Sequence, residues 1–353
     1  MEFYALIEWF GDNGFAASAG LLTGLVFGVA AEQSKFCLRA AAVEVARFKA
    51  GPRFAIWLLA FSTALLWTQC LQHLDLIDLS QSRWLASPGT LAGAIIGGFV
   101  FGIGMILARG CPGRLLVLGA TGNLRAILSG LVFAVFAQMS LHGVLSPLRN
   151  GISGTWVTHG PNPNLLQNAI VPGSGIFIAI LFAAAALFVA FRNRVSASTL
   201  IFGCGVGFAV AIGWFLTYTA SQISFDPVPV GSLTFSGPSA DMLMFLMSSD
   251  TVIDFDIGLV CGVFVAAFLS ALVSKRLSWQ GWDSARAMRR YLSGSALMGF
   301  GAMTAGGCTI GAGVTGGSTF ALTAWVALFS MWVGGMVTDR LVDQPQASLV
   351  KHA

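Results

Sequence analysis

The chain has 353 residues, of which 56% are hydrophobic and only 10% are charged, and its mean hydropathy is +0.79. An ordinary soluble domain carries about 25% charged residues, so this composition excludes a water-soluble globular protein and predicts that lipid surrounds the chain. The net charge of +4 comes from lysines and arginines scattered at the ends of apolar segments, which is typical of membrane topology signals and argues against nucleic-acid binding.

Apolar segments recur along the chain, most of them long enough to cross about 30 Å of hydrocarbon as helices. In chain order they lie at residues 15–31, 54–71, 89–108, 126–145, 173–191, 198–218, 257–274, 293–305 and 319–337. The segments are too long for barrel strands and do not alternate in polarity. We therefore predict an all-α integral membrane protein with about nine transmembrane helices, forming one membrane domain over 1–353 with a polar tail at 341–353.

Charge sets the expected orientation. Basic residues cluster in three places, at 47–53, 192–194 and 275–290, whereas 218–256 contains five aspartates and no lysine or arginine. The positive-inside rule puts the basic clusters in the cytoplasm and 218–256 outside, together with the loop 146–172. The N-terminus is then external and the C-terminus cytoplasmic. The first residues are acidic and lack the basic region of a signal peptide, so we expect insertion by the chain's own helices.

One cysteine pattern occurs three times, and each time a glycine stands nine residues before the cysteine. The pairs are Gly28 and Cys37, Gly102 and Cys111, and Gly299 and Cys308. The sequences that follow are CLRAAAVEVARFKA, CPGRLLVLGATGNL and CTIGAGVTGGSTF, which are too short to span a bilayer. Since irregular backbone at membrane depth must be buried in protein or line a cavity, we predict short half-helices or re-entrant loops after each cysteine.

A fourth, degenerate copy is one interpretation of IFGCGVGFAVAIGWFLT, in which Trp214 stands nine residues after Gly205. Four copies would form two pseudo-repeats, about 1–170 and 171–340, as in inverted-repeat transporters whose substrate site lies at the repeat interface. The alternative is that glycine is simply common in membrane helices. Three identical glycine-to-cysteine spacings make that alternative improbable for the cysteine copies.

The blocks KFCLRA, ARGCPGR and AGGCTIGAG resemble those of the YeeE/YedE family of bacterial inner-membrane proteins, the sulfur transport family. The resemblance implies a pseudo-symmetric bundle with re-entrant helices, in which Cys37, Cys111 and Cys308 mark the constrictions of a path for thiosulfate uptake. It also implies a cytoplasmic sulfur-carrier or sulfurtransferase partner. The second block departs from the family pattern, because Arg109 precedes its cysteine and Pro112 and Arg114 follow it. This leaves another sulfur or selenium species open as the cargo.

The residue types around these cysteines fit a small dianion with a soft sulfur end. A neutral S–H is a weak donor, so it can hold an anion without trapping it. Backbone N–H groups at half-helix N-termini favour anions. The candidate pathway residues beside the thiols are Lys35, Arg39, Arg109, Arg114, Gly110, Gly307 and Thr309. Because no lysine or arginine is near Cys308 in sequence, its block is expected to rely on backbone and Thr309, with Gly306, Gly311 and Gly313 permitting close approach.

Several alternatives stay open from the sequence. The basic residues could instead snorkel to the membrane interface, and Cys70, Cys204 and Cys261 fit core packing.

Inward movement of a dianion needs a driving force, for which Glu32 is a candidate proton carrier unless it pairs with Lys35. A membrane thiol enzyme that relays sulfane sulfur is a different class, disfavoured because no histidine or carboxylate adjoins a motif cysteine. No metal site, cofactor or ATP-binding motif is predicted.

Overall fold

The computed structural model describes residues 2–166, 173–224, 228–249, 252–281 and 284–343. The first seven α-helices are α1 (Glu2–Ser34), α2 (Leu38–Ala46), α3 (Pro52–His73), α4 (Arg83–Ala86), α5 (Gly98–Leu107), α6 (Pro112–Ala120) and α7 (Leu124–Leu141). The next seven are α8 (Ser146–Gly154), α9 (Ser174–Arg192), α10 (Ala197–Ile223), α11 (Gly237–Met247), α12 (Phe255–Val273), α13 (Ala285–Thr304) and α14 (Leu322–Thr338). Short π-helical segments lie at Gly93–Gly97, Thr309–Gly316 and Asp339–Asp343.

Nine helical segments in this part of the chain are long and apolar enough to cross a membrane. They coincide with the nine apolar segments found in the sequence, which confirms the prediction of an all-α integral membrane protein. The predicted tail 341–353 lies mostly outside the described residues, since only 341–343 are described and they complete the last π-helical turn.

The stretch 218–256 is more ordered than the external loop that the sequence predicts. Helix α10 extends to Ile223, and α11 occupies the middle of the stretch. Between them, residues 228–236 form an extended segment whose Leu233 and Phe235 are completely buried. Pro229 and Gly231 disfavour a helix here, so this part of the chain enters the core as extended backbone.

The predicted fourth motif copy does not end in a half-helix. Helix α10 passes unbroken through Trp214, whose indole nitrogen donates to Ser318 Oγ at 3.2 Å in the core. Trp214 is therefore a buried packing residue within a continuous helix, and its assignment to the place of a motif cysteine is wrong. The break in the second half comes later, after Ile223, where the extended segment 228–236 leads into α11.

Glycines set the closest helix contacts. A side chain at Gly20, Gly24 or Gly28 of α1 would collide in turn with Phe255, Leu259 or Val263 of α12, so the two helices run parallel and touch backbone to backbone. The same parallel contact joins α10 to α3, and α5 to α14. Small residues let helices approach closely in lipid, where dispersion replaces the hydrophobic effect between them.

These helix pairs repeat within the bundle. The pair α1–α12 is matched by α10–α3, and the pair α5–α14 is matched by α13–α7. We infer that α1–α7 and α10–α14 are related halves whose helices interlock, with α9 packed outside on α3. The boundaries at 1–170 and 171–340 stay a prediction that this contact pattern favours, with α9 as an addition.

The bundle has two chemically different ends. At the end where α1, α5, α12 and α14 terminate, four ion pairs link arginines to acids, and we name this end the basic face. The pairs are Arg39–Asp343, Arg47–Asp339, Arg276–Glu32 and Arg290–Asp343. The opposite end, which carries α4, α8 and the start of α12, is named the acidic face after Asp78, Asp254 and Asp256.

Candidate functional site

Each motif cysteine lies at the start of a half-helix. Cys37 is the N-cap of α2, Cys111 is the N-cap of α6, and Cys308 is the N-cap of the segment 309–316. All three have extended backbone, which is the usual conformation of an N-cap residue. The predicted half-helices are thus confirmed. Cys308 caps its own half-helix by accepting from the Gly311 amide, whereas Cys37 and Cys111 make no side-chain cap hydrogen bond.

The glycine that precedes each cysteine by nine residues is a helix crossing point. Gly28 faces Val263 of α12, and Gly102 faces Met331 of α14. Gly299 faces the backbone of Phe133 and Ala137 in α7. In every copy the helix is locked against a neighbour about one and a half turns before it ends, because an added Cβ would collide with backbone. The repeated spacing therefore fixes where each thiol lies relative to the bundle.

The structure brings the three thiols into one region. The Cys111 thiol interacts electrostatically with both Cys37 and Cys308. Cys111 and Cys308 are buried, at 1% and 0% exposure, whereas Cys37 is partly exposed. All three are free thiols. The arrangement is a row of soft groups that begins in the closed core and becomes accessible at Cys37.

Two backbone amides from different segments hold the Cys308 sulfur. Gly311, three residues into the half-helix, donates to Sγ at 3.4 Å. Phe235, in the extended segment 228–236, also donates to Sγ at 3.4 Å. The Phe235 ring lies 5.1 Å from that of Phe27 in α1. The thiol is therefore held by two segments that are distant in sequence, and Phe27 of α1 packs against one of them.

Thr309 is a buried polar side chain without a hydrogen-bond partner among the described residues. Its hydroxyl lies beside the Cys111 thiol, but the two make no hydrogen bond of normal geometry. Thr309 is 1% exposed, and the neighbouring Ile310 packs where Gly113 of α6 leaves room. A buried hydroxyl without a partner is costly, which makes Thr309 a candidate donor to a ligand.

Arg39 is a candidate basic residue whose guanidinium interacts with a motif thiol. It interacts electrostatically with Cys37 and Arg109, and its Nη2 lies 3.4 Å from Asp343 Oδ2. Its buried Nε has no partner within the described part of the chain. A guanidinium with a free donor next to Cys37 is suited to attract an anion to that end of the thiol row.

The other candidate basic residues are less enclosed. Lys35 is exposed at the end of α1, and Arg109 is exposed with its guanidinium 5.8 Å from the centre of the Tyr291 ring. Both have positive φ angles, of 54° and 59°, because each stands in the tight turn that leads into a half-helix. Arg114 is half-buried, and its amide faces the Cys111 sulfur outside normal hydrogen-bond geometry.

The two acidic residues near the motifs are engaged elsewhere. Glu32 accepts a hydrogen bond from Ser270 at 2.9 Å and forms its ion pair with Arg276 at 3.3 Å. Its partners are thus on α12 and in the following loop, and the alternative of an ion pair with Lys35 is not formed. Glu44 accepts the backbone amides of Arg53 and Phe54 and so caps the start of α3. Both acids serve to join helices at the basic face.

A basic residue does lie beside Cys308, contrary to the expectation from the sequence. Arg83, on the short helix α4, donates from Nη2 to the carbonyl of Gly306 at 3.3 Å. It interacts electrostatically with Cys308 and Asp256. The expectation failed because 225 positions separate Arg83 from Cys308, so only the fold brings them together.

Arg83 lines a cavity of about 720 Å³ that opens at the acidic face, which we name the vestibule. Its wall includes Thr234 of the extended segment and Gly311 and Thr315 of the Cys308 half-helix. Asp256 of α12 lies on the same wall. The vestibule therefore leads from the acidic face directly to the half-helix that Cys308 caps.

The candidate glycines pack against protein. A Cβ at Gly307 would lie 2.8 Å from the amide of Ala312, and one at Gly311 would overlap the Thr234 side chain. Gly110 is buried with Leu115 above it, and Gly306 has φ +81°, which favours glycine at that turn. These glycines allow tight packing around the thiols, and their role in contacting an ion stays a prediction.

Similarity to known proteins agrees with this arrangement. A profile of the sulphur transport family matches residues 33–337, which spans all three cysteine blocks. The chain belongs to this family. The resemblance stated from the three blocks is thereby confirmed.

Two relatives carry the same name. The thiosulfate transporter TsuA of Escherichia coli strain K12 is 25% identical over 352 residues, covering 92% of this chain and 94% of the relative. The thiosulfate transporter TsuA of Spirochaeta thermophila is 25% identical over 325 residues, covering 87% and 93%. The similarity extends over nearly the whole length of each protein.

Two elements of the site were missed from the sequence. Arg83 stands in RWLASPG, an isolated arginine in a stretch whose neighbours include Asp75 and Asp78. That contrast is a signal that could have identified it. Phe235 lies in a segment assigned to an external loop, and nothing local in VGSLTFSG distinguishes buried extended backbone from a loop.

Proposed function

We propose that this protein takes up a small sulfur-containing anion, with thiosulfate as the leading cargo, across the bacterial inner membrane. The observation that carries the proposal is the meeting of Cys111, Cys308 and the unpartnered Thr309 hydroxyl where two half-helices face each other. Membership of the sulphur transport family supports transport of a sulfur compound. Two full-length relatives named as thiosulfate transporters support the choice of cargo.

The three motif thiols and the Thr309 hydroxyl suit a dianion that must be bound and then released. Neutral thiols and one hydroxyl donate weak hydrogen bonds to the sulfur or oxygen atoms of the anion. The first-turn amides and the positive end of each half-helix add attraction without a full charge. Contacts that are favourable but individually weak permit both entry and exit, whereas a ring of arginines would trap the ion.

The passage is closed in this conformation. Cys111 and Cys308 are buried, and Ile310 packs against Phe235 and α6 at the same level. We propose that small movements of the half-helices open the row to one face at a time, with the anion passing from Cys308 to Cys111 to Cys37. Arg39 then draws the anion towards the basic face.

Charge distribution supports the proposed orientation. Among the described lysines and arginines, only Arg83 and Arg149 belong to elements at the acidic face. The positive-inside rule therefore places the basic face in the cytoplasm and the N-terminus outside. Movement of a dianion inward against the membrane potential costs about 4.6 kcal/mol at 100 mV, so uptake needs a coupled ion or consumption of the cargo inside. The latter fits the proposed cytoplasmic sulfur-carrier or sulfurtransferase partner.

A membrane thiol enzyme is the competing class. A thiol nucleophile is activated by an adjacent base. The groups that act on Cys111 are two thiols, the Thr309 hydroxyl and the Arg114 amide, and none of these is a histidine or carboxylate. This environment favours a hydrogen-bonding role for the thiol over a nucleophilic one.

The test is thiosulfate-dependent growth of a bacterium that lacks its own sulfate and thiosulfate importers. We expect the wild type to restore growth and Cys37→Ser, Cys111→Ser and Cys308→Ser to fail at matched membrane expression. Cys204→Ser and Cys261→Ser are controls, since both residues are partly exposed on α10 and α12 and lie outside the row. A well-expressed wild type that gives no growth would refute thiosulfate uptake by this chain alone and favour another sulfur or selenium cargo.

A further inference from the structure

The vestibule carries a single basic side chain among its described lining residues, and that side chain is Arg83. Its guanidinium carbon lies 5.0 Å from the centre of the Trp84 ring, and Nη2 donates to the Gly306 carbonyl at 3.3 Å. These two contacts hold the guanidinium at the mouth of the Cys308 half-helix. Its other nitrogens make no hydrogen bond to a described residue and are available to donate into the cavity.

Arg83 has an electrostatic partner but forms no close ion pair with any described residue. Asp256 is the acid that acts on it most strongly, yet no Arg83 nitrogen lies within 4.0 Å of a described carboxylate oxygen. Asp256 itself interacts with Arg83, Asp254 and Asp241. The arginine is thus partly neutralised at a distance while its hydrogen-bonding edge is left unoccupied.

We propose that Arg83 is the entry site for the anion in the vestibule, with Asp256 as the counter-charge that keeps this binding reversible. The inference rests on the proposed function and extends it by naming where the cargo is first bound. A guanidinium matches the planar edge of two oxygens on a sulfur oxoanion and can bind it bidentately. Thr234 on the same wall can supply a hydroxyl donor, with Ser236 Oγ as its neighbour at 3.1 Å, and Cys308 lies next along the path.

Asp256 is needed beside Arg83 because an uncompensated arginine would hold a dianion too tightly. The carboxylate lowers the local positive potential, so the anion gains less on binding and leaves more readily towards Cys308. It repels every anion, so one that cannot make the bidentate contact with Arg83 binds more weakly. The pair therefore combines selection at entry with release into the row of thiols.

The experiment is the initial rate of radiolabelled thiosulfate uptake against concentration in membrane vesicles, for Arg83→Gln, Arg83→Lys and Asp256→Asn. We expect Arg83→Gln to raise KM at least about tenfold while the maximal rate changes less than about threefold. Arg83→Lys keeps the charge but loses the fork, so its KM should be intermediate. Asp256→Asn should have a lower KM and a lower maximal rate than the wild type.

Arg149→Gln is the matched control, since Arg149 is the other arginine at the acidic face and bonds only its neighbour Asn150 in the described contacts. An Arg83→Gln variant with wild-type KM would overturn the inference, and so would an Asp256→Asn variant with raised KM. The opposite signs expected for the two substitutions guard against misfolding, which would lower uptake in both.

Failure of the proposed function is distinguishable from failure of this inference. If the wild type takes up no thiosulfate, binding of inorganic thiosulfate, sulfite and sulfate to the purified protein is measured by titration calorimetry. The inference stands if one of these anions binds and Arg83→Gln weakens its Kd at least about tenfold. It is overturned if none binds, or if the wild type and Arg83→Gln bind equally.

Discussion

The backbone amide of Phe235 donates to the Sγ of Cys308 at 3.4 Å. The two residues are 73 positions apart, and the bond joins the connection between α10 and α11 to the half-helix that Cys308 caps. Thr315 reinforces this junction, because its hydroxyl donates to the carbonyl of Leu233 at 2.6 Å. Cys308 therefore accepts hydrogen bonds that hold the structure together, and it is also a candidate donor to the cargo.

Substitution of Cys308 should separate these two roles. Cys308→Ala leaves the amides of Phe235 and Gly311 buried without an acceptor, and we expect a loss of about 2 kcal/mol in the free energy of unfolding. Cys308→Ser keeps an N-cap acceptor and should unfold at nearly the wild-type temperature. Thermal unfolding in detergent micelles measures both. Equal stability of the alanine and wild-type proteins would show that the two amide contacts contribute nothing.

Uptake should rank these variants differently from stability. Serine replaces the soft sulfur by a harder hydroxyl, so we expect Cys308→Ser to be stable but at least about tenfold slower in thiosulfate uptake. Wild-type uptake by Cys308→Ser would restrict Cys308 to its role as a helix cap.

Much of this site was predictable because the cysteine motif is local. A helix that ends, a glycine turn and an N-cap cysteine all lie within about ten residues, so the half-helices at Cys37, Cys111 and Cys308 were anticipated from the sequence. The nine transmembrane helices could equally be predicted from the sequence, since each depends only on a continuous apolar run.

Contacts between distant segments could not be derived in this way. Arg83 meets Gly306 across 223 positions, and Glu32 meets Arg276 across 244. Both acquire their partners from the packing of helices that are distant in sequence, which no local pattern records. Trp214 illustrates a different error. Its nine-residue spacing from Gly205 matches the cysteine motif, but helix α10 continues through it without a break.

Thr309→Val tests the unpartnered hydroxyl. Valine has nearly the same shape but no buried polar group, so we expect the free energy of unfolding to stay the same or rise by up to about 1 kcal/mol. Uptake should fall at least about tenfold because the anion loses a donor between Cys111 and Cys308. Thr309→Ser keeps the hydroxyl and should retain uptake while losing about 1 kcal/mol of packing. A stable Thr309→Val protein with full uptake would contradict the assignment.

The stability of the acidic face should depend on pH through Asp241. Burial, and then the nearby Asp254, raise the pKa of the Asp241 carboxyl, while His142 opposes the shift. A carboxyl with a raised pKa in the folded state stabilises the fold below its unfolded pKa and loses that contribution as pH rises through the folded pKa. Asp241→Asn should therefore unfold at a higher temperature than the wild type at pH 7.5, with the difference shrinking towards pH 4.

Asp78 provides a control of opposite sign. Hydrogen bonds from Ser80 lower the pKa of the Asp78 carboxyl, so its contribution is present at neutral pH and lost as pH falls through the folded pKa. Asp78→Asn should lower the unfolding temperature at pH 7.5 and approach the wild type in acid. If Asp241→Asn and Asp78→Asn shifted the unfolding temperature in the same direction at every pH, neither shift could be attributed to titration of the replaced carboxyl.

At the basic face, Asp339 is the acid whose pairing should matter most for stability. Arg47 binds both of its oxygens at 3.1 Å, Asp339 is 0% exposed, and the pair joins the end of α2 to the end of α14. Removal of one partner from a buried pair leaves an uncompensated charge that costs about 3–5 kcal/mol. Because the Arg47 side chain is 40% exposed, water compensates part of this loss, and we expect about 2–3 kcal/mol for Arg47→Ala.

The double variant Arg47→Ala with Asp339→Asn should recover at least half of that loss, since the buried charge is then gone as well. Denaturation in a fixed detergent, with the two single variants and the double variant forming a cycle, measures the coupling. Arg47→Ala also frees the C-terminal end of the half-helix that Cys37 caps, so maleimide labelling of Cys37 should become faster. Additive losses together with unchanged labelling would mean that the pair neither stabilises the fold nor holds the Cys37 half-helix in place.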